Sequence, residues 1–178
     1  MQDTIFVNQK PYTVVRLLGH GKGGYSYLVE ENGCQYVLKQ IHHEPCEYYS
    51  FGNKIEAEIN DYKRLLQTGI RLPRMLDVDI ENERIVKEYI DGPTIYELVK
   101  DDAMDDSYIV QVREMAQMVY SAGLNIDYFS TNFVVANGAI FYIEQTKTKF
   151  NLRAEFEILG IDINTNTKCY LHVECIKK

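Results

Sequence analysis

The chain has 178 residues, 46% hydrophobic and 12% aromatic, which suits one compact domain or two small lobes packed together. A formal net charge of −7 argues against a protein whose main work is coating nucleic acid or anionic membrane. Cys34, Cys46, Cys169 and Cys175 show neither Cys-x-x-Cys spacing nor the density of a disulfide scaffold. The start Met1-Gln2-Asp3-Thr4 lacks the regions of a signal peptide, and no run approaches the ~18 apolar residues of a membrane span, so a cytoplasmic protein with reduced thiols is expected.

In chain order, Ile5-Phe6-Val7 and Tyr12-Thr13-Val14-Val15 are β-rich on either side of the turn-like Asn8-Gln9-Lys10-Pro11, which predicts an opening hairpin. Its second strand runs into Gly19-His20-Gly21-Lys22-Gly23-Gly24, a Gly-x-Gly-x-x-Gly pattern. Glycines at 19, 21 and 24 remove Cβ atoms, so backbone N–H groups can approach an anion closely. An isolated match also suits an ordinary hairpin turn. A dinucleotide site needs a helix after the glycines, whereas Tyr25, Tyr27 and Val29 alternate like a strand. Strand, glycine turn, strand is the layout of the loop that covers ATP in protein kinases. A turn at Glu30-Glu31-Asn32-Gly33 then leads to a strand over 35–41, and the beginning of the chain reads as an antiparallel meander.

Residues 42–53 lack periodicity and read as a loop. His42-His43-x-x-Cys46 has the composition of a metal cluster, but adjacent histidines on an extended chain point to opposite sides. From Lys54 the spacing becomes helical, with Ile55, Ile59, Tyr62 and Leu66 on one face and a stop at Gln67-Thr68-Gly69. Strands are predicted over 75–80 and 84–89 around Glu81-Asn82-Glu83. Asp91-Gly92-Pro93-Thr94 is the clearest boundary, dividing the chain into 1–90 and 91–178.

Beyond it, 94–99 reads as a short helix and 101–106 as an acidic loop. Asp106 or Ser107 is expected to cap a helix carrying Ile109, Val112, Ala116 and Val119, with Met115 and Met118 as core filler. That helix stops near Ala122-Gly123. Phe133-Val134-Val135 and Ile140-Phe141-Tyr142-Ile143 flank Asn137-Gly138, the strongest hairpin signal in the chain. The remainder mixes a helical stretch, 151–159, with a β-prone one, 169–175.

Two groups of residues carry chemistry. Lys39 ends the run Tyr36-Val37-Leu38-Lys39 on the strand after the glycine hairpin, where its ammonium can reach phosphate oxygens. Glu58 lies on the helix face beside Ile55, Ile59 and Tyr62 and can turn toward the sheet to hold that lysine. The plain alternatives are a solvated lysine and a helix-surface carboxylate. The second group is Asp127 and Asn132, in the loop between a helix and a hairpin, with Glu144 closing the second hairpin strand. Three oxygen-bearing side chains there suit magnesium and a hydroxyl, although Asp127 and Asn132 also suit local turns.

The ordered set Gly19-x-Gly21-x-x-Gly24, Lys39, Glu58, the linker Glu88-Tyr89-Ile90-Asp91-Gly92, Asp127 with Asn132, and Glu144 resembles the protein-kinase-like superfamily, most of all its small, atypical prokaryotic members, over roughly residues 12 to 146. The resemblance implies an α+β fold: an antiparallel five-stranded N-lobe with one helix over 1–90, and a reduced, mainly helical C-lobe over 91–178. It also implies ATP held by the loop amides and Lys39, adenine against the hinge at Glu88 and Ile90, Asp127 as acceptor of the substrate hydroxyl proton, and magnesium on Asn132 and Glu144.

The departures from that pattern bear on activity. Asn125-Ile126 stands where such kinases have His-Arg, so control through a phosphorylated activation loop is not expected. Phe129 replaces a frequent lysine near the transferred phosphate, Glu144-Gln145-Thr146 replaces Asp-Phe-Gly, and Ser26 replaces a valine above adenine. The stretch after Glu144 is short for a peptide-binding C-lobe. The resulting expectation is an ATP-dependent serine/threonine-type phosphotransferase acting on a protein, a small molecule or itself. The alternative is a pseudokinase that binds nucleotide or scaffolds partners without transfer. The face beside a small C-lobe would suit a homodimer or other partner.

Overall fold

The computed structural model describes residues 3–21, 23–44 and 53–143. Glu144, Cys46 and the segments 151–159 and 169–175 fall outside the described residues. The described residues divide into two compact units: the first takes in those up to Lys63 together with Pro73–Ile90, the second Arg64–Leu72 and those from Asp91 to Ile143. No helix among the described residues is long and apolar enough to cross a membrane.

The first unit is built on an antiparallel sheet of β1 (Thr4–Val7), β2 (Lys10–Gly21), β3 (Gly24–Glu31), β4 (Cys34–Ile41), β5 (Met75–Asp79) and β6 (Arg84–Glu88), in the order β1-β2-β3-β4-β6-β5. Among the described residues this sheet has six strands, not the expected five. The additional edge strand comes from the opening hairpin, whose turn is only Asn8-Gln9, both at positive φ (45° and 68°). This geometry matches the twist of paired strands, so pairing resumes at once with Val7 opposite Lys10. Pro11 therefore lies inside β2, opposite Phe6. Next to a turn-closing pair that position does not bond across the hairpin, and β3 pairing begins only at Thr13 opposite Glu30, so its missing N–H costs no ladder bond. Asn32-Gly33 forms a second two-residue turn, at φ 51° and 76°, with Glu30 and Glu31 in strand rather than in the expected turn.

Bulges in β2 between Val14 and Arg16 and between Leu17 and Gly19 increase its twist, and the sheet curls. Its two edges are tied together at their turns. The Asn8 amide donates to Asp79 Oδ2 at 3.0 Å, Asn8 Nδ2 donates to Asp77 Oδ1 at 2.8 Å, and Arg84 Nη1 donates to the Phe6 carbonyl at 2.6 Å. Asp79 also accepts from the backbone and side chain of Asn82, each at 2.9 Å. The Asn8 and Asn82 amides hold its carboxyl below the usual carboxylate range.

Alternation along the strands gives the sheet two distinct faces. Val7, Tyr12, Val29, Leu38 and Val86 pack together on one. The other carries Ile41 and Ile85, which pack with Ile55 of α1 (Lys54–Gln67). Of the residues expected on the buried side of α1, Ile55, Ile59 and Tyr62 fit, but Leu66 is 54% exposed; Leu65 turns into the core of the second unit instead.

In that second unit, α2 (Ile95–Lys100) opens on a capping box: the Glu97 amide donates to Thr94 Oγ1 at 3.1 Å, and the Thr94 amide donates to Glu97 Oε2 at 2.7 Å. Helix α3 (Asp106–Ser121) is capped by Asp105, one residue before the expected cap, because its carboxylate accepts from the Ser107 amide at 2.8 Å. Met115 is buried core, whereas Met118, expected as core, is 42% exposed. The hairpin of β7 (Phe133–Ala136) and β8 (Ala139–Tyr142) turns at Asn137-Gly138 as its sequence demands, at φ 52° and 75°. Gln111 of α3 pins that turn, its side-chain amide donating to the Gly138 carbonyl and accepting from the Ile140 amide. Ile70, Ile95, Met115, Val119, Phe133 and Ile140 form the core between these elements.

Candidate functional site

The glycine pattern spans the end of β2 and the start of β3, with Gly19 opposite Ser26 and Gly21 opposite Gly24. Gly24 has a structural reason of its own. A Cβ there would lie 2.3 Å from the Gln40 carbonyl oxygen, so only glycine lets β3 approach β4 this closely.

Ser26 is paired on its other side with Lys39, and Lys39 in turn with Ile85. Cross-strand partners share a face, so the lysine enters the face on which α1 packs. There its ammonium meets Glu58 Oε2 at 2.6 Å. Lys39 is only 4% exposed, and such a lysine is stable only when paired. Lys87 reaches Glu58 Oε1 at 3.0 Å, with its ammonium also over the Tyr62 ring at 5.9 Å. Burial alone would raise the Glu58 carboxyl; Lys87 and then Lys39 outweigh this and bring it down to about 2. The sequence reading missed Lys87. Its signal was the alternation of Arg84-Ile85-Val86-Lys87, which puts Lys87 on the same face as buried Ile85.

Glu88 and Ile90 stand at the end of the first unit. The Glu88 side chain is occupied: Oε2 accepts from Arg74 Nε at 3.1 Å and Oε1 from Nη2 at 3.3 Å, and these bonds lower its carboxyl below the usual range. Its amide donates to the Arg74 carbonyl at 2.8 Å.

Asp127 and Asn132 come together in the second unit. Asn132 is 1% exposed, at the end of a single 3-10 turn, Ser130–Asn132, that leads into β7. Asn132 Nδ2 donates to the Asp127 carbonyl at 3.1 Å, while the Asp127 amide donates to Tyr142 Oη at 3.2 Å. The Asn132 carbonyl accepts from the Ile143 amide at 2.8 Å. With its backbone and Nδ2 so engaged, Asn132 Oδ1 is buried without a hydrogen-bond partner among the described residues. An orphaned amide oxygen is costly, and it is a donor type that a hard cation such as magnesium takes. The donor chemistry at Asn132 therefore fits such an ion. Phe129 is buried at 6% exposure, so this position serves packing.

His42 and His43 diverge as their adjacency predicts. His42 Nε2 lies 2.7 Å from the Gly21 carbonyl, and His43 Nε2 2.6 Å from Glu83 Oε2.

No family model matches the chain. The chain is similar to the KEOPS complex subunit Bud32 of Pyrococcus abyssi, 26% identical over 106 residues, which covers 57% of this chain and 47% of that protein. The chain thus spans about half the length of the curated relative it matches. That similarity suggests a kinase-like relationship.

Proposed function

We propose that the protein binds ATP with magnesium and transfers the γ-phosphoryl group to a hydroxyl, as an atypical serine/threonine-type kinase. The observation that carries this reading is the buried Lys39–Glu58 pair at 2.6 Å, in register with the strand that leaves the glycine turn. A lysine fixed by a buried carboxylate is aimed at one place, which is what phosphate positioning requires.

In this reading, residues 1–90 act as a kinase-like N-lobe and grip the nucleotide. The amides around Gly19, Gly21 and Gly24 and the Lys39 ammonium hold its phosphates, and the backbone at Glu88 and Ile90 takes adenine. Residues 91–178 act as the C-lobe. Asp127 accepts the proton of the attacking hydroxyl, and Asn132 Oδ1, with Glu144, holds the magnesium that screens the phosphate charge. The acceptor is a protein, possessing a serine or threonine, or the chain itself. The relative is a subunit of a complex, which favours a protein partner here too, a second copy included.

The test is phosphoryl transfer or ATP hydrolysis with magnesium, compared between wild type and Asp127→Ala. Activity lost in the variant supports the assignment; equal activity overturns it. A second reading, a pseudokinase that holds nucleotide without transfer, is favoured by the buried Phe129 where a lysine would have stabilised the transferred phosphate. Nucleotide-induced thermal stabilisation without turnover selects that reading.

A further inference from the structure

The tip of the glycine hairpin carries side chains that nucleotide binding leaves unused. His20 of β2, and His42 and Glu44 just past β4, each bring one metal-ligating atom to within 4.8 Å of the others. His20 Nε2 stands 3.6 Å from Glu44 Oε2. Around a tetrahedral zinc ion with bonds of about 2.0–2.1 Å, neighbouring donors lie roughly 3.4 Å apart. Small rotations of these exposed or half-buried side chains close the remaining distance.

His42 and Glu44 are already oriented for a metal by their hydrogen bonds. His42 Nε2 faces the Gly21 carbonyl at 2.7 Å, and the Glu44 amide points at His42 Nδ1 from 3.2 Å. A carbonyl only accepts and an amide N–H only donates, so Nε2 carries the proton and Nδ1 keeps its lone pair. One ring nitrogen donating to a backbone carbonyl is the arrangement that fixes the tautomer of metal-bound histidines. The Tyr25 hydroxyl donates to Glu44 Oε1 at 2.6 Å, which orients the carboxylate. The His20 ring stacks flat on Tyr25, with centroids 4.2 Å apart and 6° between planes.

We propose that His20 Nε2, His42 Nδ1 and Glu44 Oε2 form a binding site for a divalent transition-metal ion of the zinc type, with water as the fourth ligand. Two imidazoles and one carboxylate suit zinc better than magnesium or calcium, which take oxygen donors. A metal there joins β2 to the chain beyond β4 and staples the glycine hairpin at its tip. The long Glu44 amide bond is the one that yields to it.

The test is calorimetric titration of Zn²⁺ into the full chain, with Co²⁺ absorption in the visible as a probe of coordination. The site predicts a one-equivalent binding event that weakens at least tenfold in each of His20→Ala, His42→Ala and Glu44→Gln and is unchanged in His43→Ala. It also predicts visible bands of four-coordinate Co²⁺ that His20→Ala removes. Absence of binding overturns the site, and so does binding that all three variants retain, which would put the ion on cysteines or elsewhere. No nucleotide enters the measurement, so its outcome is independent of the ATP reading.

Discussion

Glu58 is shared between two lysines: its Oε2 lies 2.6 Å from Lys39 Nζ and its Oε1 3.0 Å from Lys87 Nζ, with all three side chains largely withdrawn from water. Removing the carboxylate leaves two ammonium groups on a buried face. Glu58→Gln is expected to destabilise the protein by about 3 kcal/mol or more, the cost of breaking a buried pair from one side. Lys87→Met costs less, because the Lys39–Glu58 contact survives. Urea denaturation checks both; a Glu58→Gln loss smaller than that of Lys87→Met would contradict the sharing.

The same contact sets a pH dependence. Lys87 and Lys39 hold the Glu58 carboxyl down to about 2 in the folded chain, against an ordinary 4.5. A depressed folded-state value means that the stabilisation is complete above the unfolded value and is lost as pH falls from about 4.5 toward 2. The expected loss is of the order of 3 kcal/mol. Stability profiles from pH 7 downward, compared with Glu58→Gln, check it: the variant should show a shallower acid decline, and parallel curves would contradict the assignment.

Gly24→Ala tests the close approach of β3 to β4. A Cβ 2.3 Å from the Gln40 carbonyl forces the strands apart, so we expect a loss of about 2 kcal/mol or more without any nucleotide present. Gly33→Ala, where nothing lies within 4 Å but φ is +76°, should cost about 1 kcal/mol. Equal effects on thermal unfolding would show that crowding at Gly24 is not what selects glycine.

Asn132→Ala should separate stability from function. It removes the bond from Nδ2 to the Asp127 carbonyl and also an unsatisfied buried oxygen, so the two changes partly offset and the net cost stays within about 1–2 kcal/mol. The magnesium-dependent part of any ATP-induced stabilisation should vanish. If magnesium dependence persists, Asn132 is not a magnesium ligand.

Local chemistry was legible wherever a short signal determines one geometry. Asn137-Gly138 specified its hairpin, and the helical spacing from Lys54 with its stop at Gln67-Thr68-Gly69 specified α1. What escaped was set by distant partners. The strands of the opening hairpin were legible, but the tie from its turn at Asn8 to Asp79, 71 residues onward, was not. Lys87 is legible only once Glu58 is known to sit opposite it. The divergence of His42 and His43 followed from alternation, but the meeting of His42 with His20 and Glu44 needed the curl of the glycine hairpin.

In the proposed nucleotide site, Lys39 holds the phosphates. The most direct test is the thermal shift of the chain on titration with ATP, with and without magnesium, in wild type and Lys39→Met. Saturating nucleotide at a hundred times Kd is worth about 2.7 kcal/mol. A magnesium-enhanced rise in Tm is expected for wild type and should fall away in the variant. No shift in wild type, or an equal shift in Lys39→Met, would contradict it.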